Sequence, residues 1–114
     1  MPPSVIVVIR EDPQKTHRPV EALRIALGLS TGENPLLVVL LGQAPLLISE
    51  APEDVVDGEI LEKYLPSFKH LKIPFVMPVG TGARFDLDLE FKVKELSEEA
   101  IRVAIASSDR VLVF

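Results

Sequence analysis

The chain contains no cysteine among its 114 residues. That absence excludes disulfides, thiolate metal sites, iron–sulfur clusters and any thiol nucleophile within the chain. Histidine is scarce too, and His17 and His70 lie too far apart in the sequence to indicate a metal centre. No potential nucleophile lies at a distance along the sequence from a general base that would indicate a catalytic pair. We therefore predict neither a metal nor a cofactor, and the sequence leans against an enzyme.

Basic residues are also few, because 12 lysines and arginines face 17 aspartates and glutamates, for a formal net charge of −5. Nucleic acid phosphates would be repelled, so we expect no nucleic acid partner. No apolar run approaches the roughly 20 residues that span a bilayer, and Met1 to Ser4 lacks the basic start of a signal peptide. We expect a cytoplasmic protein without membrane association, folded as one domain over residues 1–114.

Short, uninterrupted apolar runs predict strands, and two of them predict buried ones. These two are the central run from Pro35 to Gly42 and the run Ser4–Ile9; further strands are predicted over Pro74–Val79 and Arg110–Phe114. In a strand with one solvent-exposed face, apolar and polar residues would alternate, whereas in strands that lie between two layers of helices they do not. The pattern predicts a single three-layer α/β/α domain with a mostly parallel five-stranded sheet, of the flavodoxin- or Rossmann-like kind.

Three helices separate these runs. The first is predicted over His17–Leu29, and its nearly continuous apolar surface indicates cover on a second side, which another subunit would supply. The second starts at Asp57 and should kink or break at Pro66, since proline disrupts a helix interior. The third begins after Ser97, which is a favourable cap.

A strict alternation of apolar and charged residues runs from Phe85 to Val93. This is the period of a half-buried strand near the edge of a sheet, although its first half also fits a loop. The predicted element order is then β-α-β-α-β-β-α-β. Right-handed crossovers place helices on both faces and bring the loops after the first three strands to the carboxyl edge, where such sheets bind ligands.

Two groups of residues at this edge are candidates for ligand binding. A glycine-rich loop follows the third strand and offers backbone amides and one guanidinium for an anion, through Gly80, Thr81, Gly82 and Arg84. The loop lacks the spacing of a phosphate- or dinucleotide-binding motif, so a plain tight turn is the favoured interpretation. Arg10 and His17 flank the first loop, for which a solvated surface is favoured.

A third group of candidate residues is apolar and lies in a loop that we expect to be exposed to solvent. Leu46, Leu47 and Ile48 follow Pro45, which suits the first position of one helical turn. Three adjacent large apolar side chains in such a loop are either buried within the domain or in contact with a partner protein. We assigned them to an interface between subunits.

Nearly the whole chain resembles the DsrE/DsrF/DsrH-like family, which includes the TusB, TusC and TusD sulfur-relay subunits. The resemblance lies in the opening strand Val5–Ile9, the helix Val20–Leu27 and the strand that ends at Gly42. It lies most clearly in the closing segment, Phe91–Ala100 followed by Ser108–Phe114 with its sequence Ser-Asp-Arg-Val-Leu-Val-Phe.

This resemblance implies a small α/β subunit of a homo- or hetero-oligomer, often a hexamer, that takes part in cytoplasmic sulfur transfer. Sulfur-carrying members of the family use a cysteine in the loop after the third strand. The corresponding stretch here, Pro78 to Arg84, has none, and a persulfide needs a thiol sulfur. The resemblance therefore implies a cysteine-free accessory subunit; the alternative is an α/β protein that binds a small ligand or an anion at the carboxyl edge.

Overall fold

The computed structural model describes residues 3–50 and 52–114, which build one five-stranded sheet. The strands are β1 (Val5–Ile9), β2 (Leu36–Leu40), β3 (Phe75–Pro78), β4 (Val93–Leu96) and β5 (Arg110–Val113). They are all parallel and lie in the order β4-β3-β2-β1-β5. The predicted α/β class and parallel five-stranded sheet are confirmed.

The helices cover both faces of this sheet, unequally. They are α1 (Arg18–Ser30), α2 (Gly58–Leu71), the single turn α3 (Thr81–Arg84) and α4 (Glu98–Ser107), with a 3-10 helix over Ala44–Ile48. One face packs its alternate strand residues, such as Val7 and Phe75, against α1, α2 and the 3-10 helix. The opposite face, which includes Val8 and Val39, packs against α4. This gives the predicted three layers.

The second side of α1 is covered within the domain. Leu23 and Ala26 are fully buried in the main core, and α2 packs beside α1 on the same face of the sheet. The wide apolar surface of α1 therefore needs no second subunit to explain it, because one side meets the sheet and another meets α2.

Helix α2 continues through Pro66, so the predicted break is wrong. Pro66 is on the exposed side of the helix, whereas Leu61 and Phe68 are buried on the other side. The helical hydrogen bond that proline removes is the one to the carbonyl of Glu62, an exposed residue. Water can satisfy that carbonyl, and the buried residues on either side hold the helix together.

The alternating segment forms a strand only at its end. Residues 85–92 are mostly irregular, with one isolated bridge between Leu87 and Ser49, and β4 starts at Val93. Asp88 turns the chain: its Oδ1 accepts a hydrogen bond from the Glu90 amide at 3.0 Å. Aspartate commonly forms turns of this kind with the amide two residues on, and here the turn interrupts the extended conformation that the pattern predicted.

Two further local predictions have different outcomes. The Ser97 hydroxyl accepts a hydrogen bond from the Ala100 amide at 3.1 Å and caps α4, as predicted. Asp57 stands at the start of α2, but in a left-handed conformation with φ of 62°, and its side chain makes no cap hydrogen bond. The apolar stripe of α2, rather than its cap, fixes the position of this helix.

Candidate functional site

The carboxyl edge of the sheet gathers the loops that follow β1, β2 and β3. Arg10 follows β1, Gly42 lies two residues beyond β2 and Gly80 lies two residues beyond β3. The first two loops are in close contact, since a Cβ on Gly42 would lie 3.6 Å from the Arg10 carbonyl oxygen. Gly42 also has φ of +58°, which a residue with a side chain adopts only with strain. In the order β4-β3-β2-β1-β5 the connections reverse direction between β1 and β5, so the crevice that open α/β sheets use for ligands lies beside the loop after β1.

The loop Gly80–Arg84 is a tight turn that leads into α3. Gly80 has φ of 95°, a conformation that glycine adopts without strain. The Thr81 hydroxyl donates a hydrogen bond to the Pro78 carbonyl at 2.6 Å and is nearly buried. Thr81 therefore anchors the loop to the end of β3, and its hydroxyl is not turned towards a ligand.

The carboxylate of Glu95 occupies this loop. The Gly80 amide donates a hydrogen bond to Glu95 Oε1 at 2.6 Å, and a Cβ on Gly82 would lie 3.0 Å from Glu95 Oε2. The register of β3 and β4 explains the contact, because Met77 pairs with Glu95 and directs the carboxylate to the end of β3. An internal carboxylate thus stands where the sequence offered a candidate site for an external anion, beside the favoured interpretation of a plain turn.

The three basic candidates do not converge on this loop. Arg84 stacks over the ring of Phe85, with its Cζ 5.4 Å from the ring centroid. Arg10 is exposed after β1, and His17 is exposed at the start of α1. Because β2 lies between β1 and β3, these two residues belong to a separate part of the edge. No hydrogen bond or ion pair joins them to residues 80–84 in the described ranges.

The apolar candidates in the 3-10 helix lie mostly inside the domain. Leu47 and Ile48 have 0% exposed surface and belong to the main core. Leu46 is half-buried. This segment was expected either to pack inside the domain or to contact a partner, and the structure shows that it packs inside. Of the three residues, only Leu46 keeps exposed surface that a partner could contact.

A cavity of about 520 Å³ opens between the segment 85–91 and β4, beside the Gly80 loop. Its lining mixes apolar side chains and carboxylates: Glu50, Gly82, Phe85, Asp86, Leu87, Asp88, Leu89, Phe91, Val93 and Glu95. The volume lies within the range of small-molecule sites. The sequence did not reveal this cavity, because a regular strand over residues 85–93 would have left no such hollow.

Lys69 holds the outer wall of this cavity against α2. Its Nζ lies 2.7 Å from Asp88 Oδ2 and 3.1 Å from Glu90 Oε2, and 5.0 Å from the centre of the Phe91 ring. The hydrogen bond from Lys69 and a second one from the Glu90 amide hold the pKa of Asp88 below its usual value. The same two carboxylates raise the pKa of Lys69. This group of charges gives the irregular segment a fixed position.

Other classes of site find no support in the described residues. Residues 3–50 and 52–114 contain no group of three or more histidines and carboxylates placed to hold a metal ion. None of the helices described in those ranges combines the length and apolarity needed to cross a bilayer.

Comparison with known proteins gives a match of fold. No family model matches the chain, and no curated protein matches it in sequence. Among solved structures, the ychN protein from E. coli superimposes with a TM-score of 0.76 and 18% sequence identity over 100% of both chains. At this level of identity the match establishes a shared fold, so the chain is similar to the ychN protein in its whole architecture.

Proposed function

We propose that this chain is a non-catalytic, oligomer-forming accessory subunit of the DsrE/DsrF-like kind, associated with sulfur transfer in the cytoplasm. The fold shared with the ychN protein supports the resemblance seen in the sequence. The observation that carries the proposal is the loop after β3. It has no thiol, and its Gly80 amide is already bound to the Glu95 carboxylate.

The loop is unsuited to sulfur chemistry for two independent reasons. A persulfide forms only on a thiol, and the chain has none. The negative charge of Glu95 would also disfavour a thiolate or persulfide anion at the same amide, since like charges repel. A role in assembly remains available to such a subunit, whereas the role of sulfur carrier does not.

Exposed apolar residues on β5 and α4 support self-association or pairing with a related subunit. Val111, Leu112 and Val113 on the edge strand β5 are 37–48% exposed, and Val103 on α4 is 57% exposed. A parallel edge strand also has unpaired backbone groups along one side. These features shift the proposed interface from the 3-10 helix to the β5 edge.

Sulfur transfer is tested by incubating the protein with a persulfide donor and measuring its mass. We expect no gain of about 32 Da, the mass of one sulfur atom, because a thiolate is required. Gly82→Cys provides a positive control, and Gly82→Cys/Glu95→Gln should react faster because a thiolate forms more readily when the neighbouring negative charge is removed. A stable mass gain on the parent protein would refute the non-catalytic role.

Assembly is tested by light scattering coupled to gel filtration. We expect the parent protein to exceed 12.5 kDa, the mass of one chain. Val111→Asp/Val113→Asp should dissociate it, while Val79→Asp, which alters a still more exposed valine after β3 (71%), should not. A parent protein that elutes as a monomer at micromolar concentration, alone and with any candidate partner subunit, would contradict the proposed role in assembly.

A further inference from the structure

The innermost side chains that line the cavity beside the Gly80 loop are apolar, whereas the carboxylates of Glu50, Asp86 and Glu95 lie at its exposed parts. Phe91 is 5% exposed and forms part of the core, and Val93 and Leu87 are half-buried around it. At the rim, Leu89 is 91% exposed. An apolar group placed in this cavity would cover these side chains and remove their surface from water, which is favourable.

The polar part of the lining is acidic throughout. Two of its carboxylates already have partners, since Asp88 is bound to Lys69 and Glu95 to the Gly80 amide. The other two, Glu50 and Asp86, have no hydrogen bond or ion pair from a side chain in the described part of the chain. No lysine, arginine or histidine is among the described residues that line the cavity. An anion would be repelled here, and a cation attracted.

Backbone hydrogen bonds join the two segments that carry these carboxylates. The Glu50 amide donates a hydrogen bond to the Asp86 carbonyl at 2.7 Å, and the Asp88 amide donates one to the Ile48 carbonyl at 2.9 Å. These bonds join the segment after the 3-10 helix to the segment that forms the cavity wall. Glu50 and Asp86 are thereby held next to one another without any need for a ligand.

We propose that this cavity binds a small organic cation, an amine or amidine carried on an apolar group. The apolar interior would receive the body of the molecule, and the carboxylates of Glu50 and Asp86 would bind its charge through charge-assisted hydrogen bonds. The cavity is concave and of small-ligand size, which favours a small molecule over an extended protein surface. The proposal does not depend on the role in sulfur transfer, because it rests on the free carboxylates of Glu50 and Asp86, although Gly82 and Glu95 also border the cavity.

The test is a titration of the labelled protein with phenethylamine, followed by amide chemical shifts in nuclear magnetic resonance. We expect saturable shifts at Gly82, Leu87 and Val93. Matched probes have the same ring and chain length: 2-phenylethanol is neutral and phenylacetate is an anion. We expect phenethylamine to bind about tenfold or more tightly than 2-phenylethanol, as is typical for a hydrogen-bonded charge, and phenylacetate not to bind.

Two double variants test whether binding depends on the carboxylates of the cavity or only on the net negative charge of the protein. Glu50→Gln/Asp86→Asn should weaken phenethylamine binding about tenfold or more, since it removes both free carboxylates. Glu33→Gln/Glu62→Gln removes two exposed carboxylates elsewhere and should leave binding unchanged. Equal losses in the two double variants, equal binding of the three probes, or no shifts at millimolar phenethylamine would each overturn the proposal.

Discussion

At the scale of single residues, the charges around Lys69 decide where the irregular wall of the cavity lies. Asp88 is the most enclosed of the three partners, with 18% of its side chain exposed, against 31% for Lys69 and 75% for Glu90. The pKa of Asp88 is lowered by Lys69 and by the Glu90 amide. Both contacts favour the ionised form of Asp88, so they stabilise the folded chain only while that carboxylate is charged.

Asp88→Asn should therefore lower stability by about 0.5–1 kcal/mol at neutral pH, the size usual for an ion pair at the protein surface. The folded pKa lies below the unfolded pKa, so the contribution is complete above about pH 4 and disappears as the pH falls through the folded value. Urea unfolding of both proteins from neutral to strongly acidic pH measures it. A difference that persists unchanged at the acid end would show that the loss does not come from the charge of Asp88, because the carboxyl group is then neutral in both states.

At the scale of elements, α2 shows packing overriding local propensity. Pro66 lacks the amide that would bond to the Glu62 carbonyl, a defect that costs a helix interior about 3 kcal/mol relative to alanine. The helix nevertheless runs unbroken from Gly58 to Leu71. The burial of Leu61 and Phe68, each worth roughly 1.5–3 kcal/mol, offsets the loss.

Pro66→Ala should accordingly stabilise the protein by about 1–3 kcal/mol, since it restores a hydrogen bond and removes no buried contact, with part of the gain offset by a more flexible unfolded chain. Thermal or urea unfolding measures the change. Ser67→Ala is the matched control at the next exposed position, and it should gain only a few tenths of a kcal/mol. A loss of stability in Pro66→Ala would mean that the proline ring makes contacts that the helix needs.

The contrast between elements also explains what the sequence could predict. The uninterrupted run Val5–Ile9 predicts a buried strand correctly, because a strand covered on both faces has no polar face. The similar run in β5 lies at the edge of the sheet and is exposed, which its pattern alone does not reveal. Two local patterns gave wrong predictions. Pro66 predicted a break in α2, which the buried contacts of the helix prevent, and the alternation after Phe85 predicted a strand, which the Asp88 turn interrupts. The Gly80 loop was located at the carboxyl edge, but its partner Glu95 depends on the β3–β4 register, which a single sequence does not contain.

At the scale of the whole molecule, β5 returns from the far edge of the sheet to pair with β1. Ser4 and Asp109 mark the start of this pairing. The Ser4 amide and hydroxyl donate hydrogen bonds to Asp109 Oδ2 at 2.7 and 3.2 Å, and the Asp109 amide donates one to the Ser4 hydroxyl at 3.1 Å. Two segments from opposite ends of the sequence are thus fastened together.

Asp109→Ala should lower the free energy of unfolding by about 1 kcal/mol, because it removes two acceptor contacts at an exposed position. Asp109→Asn retains an acceptor oxygen and should lose about half as much or less. The shift of the urea midpoint measures both. Equal stability of Asp109→Ala and the parent protein would show that backbone pairing of β1 with β5 alone holds this edge.

The pairing of β5 with β1 also has a consequence for the order of folding. Before β5 joins the sheet, β1 is an unprotected edge with the sequence Val-Ile-Val-Val-Ile. A short, uncharged, β-branched segment with free backbone groups readily pairs with copies of itself and seeds aggregation. The pairing spans almost the entire chain and closes the longest loop between paired strands, so we expect it to form late. By pairing with β1, β5 covers the edge at which other chains could add. Variants that weaken the β1–β5 pairing should therefore aggregate during refolding more than their equilibrium stability alone indicates.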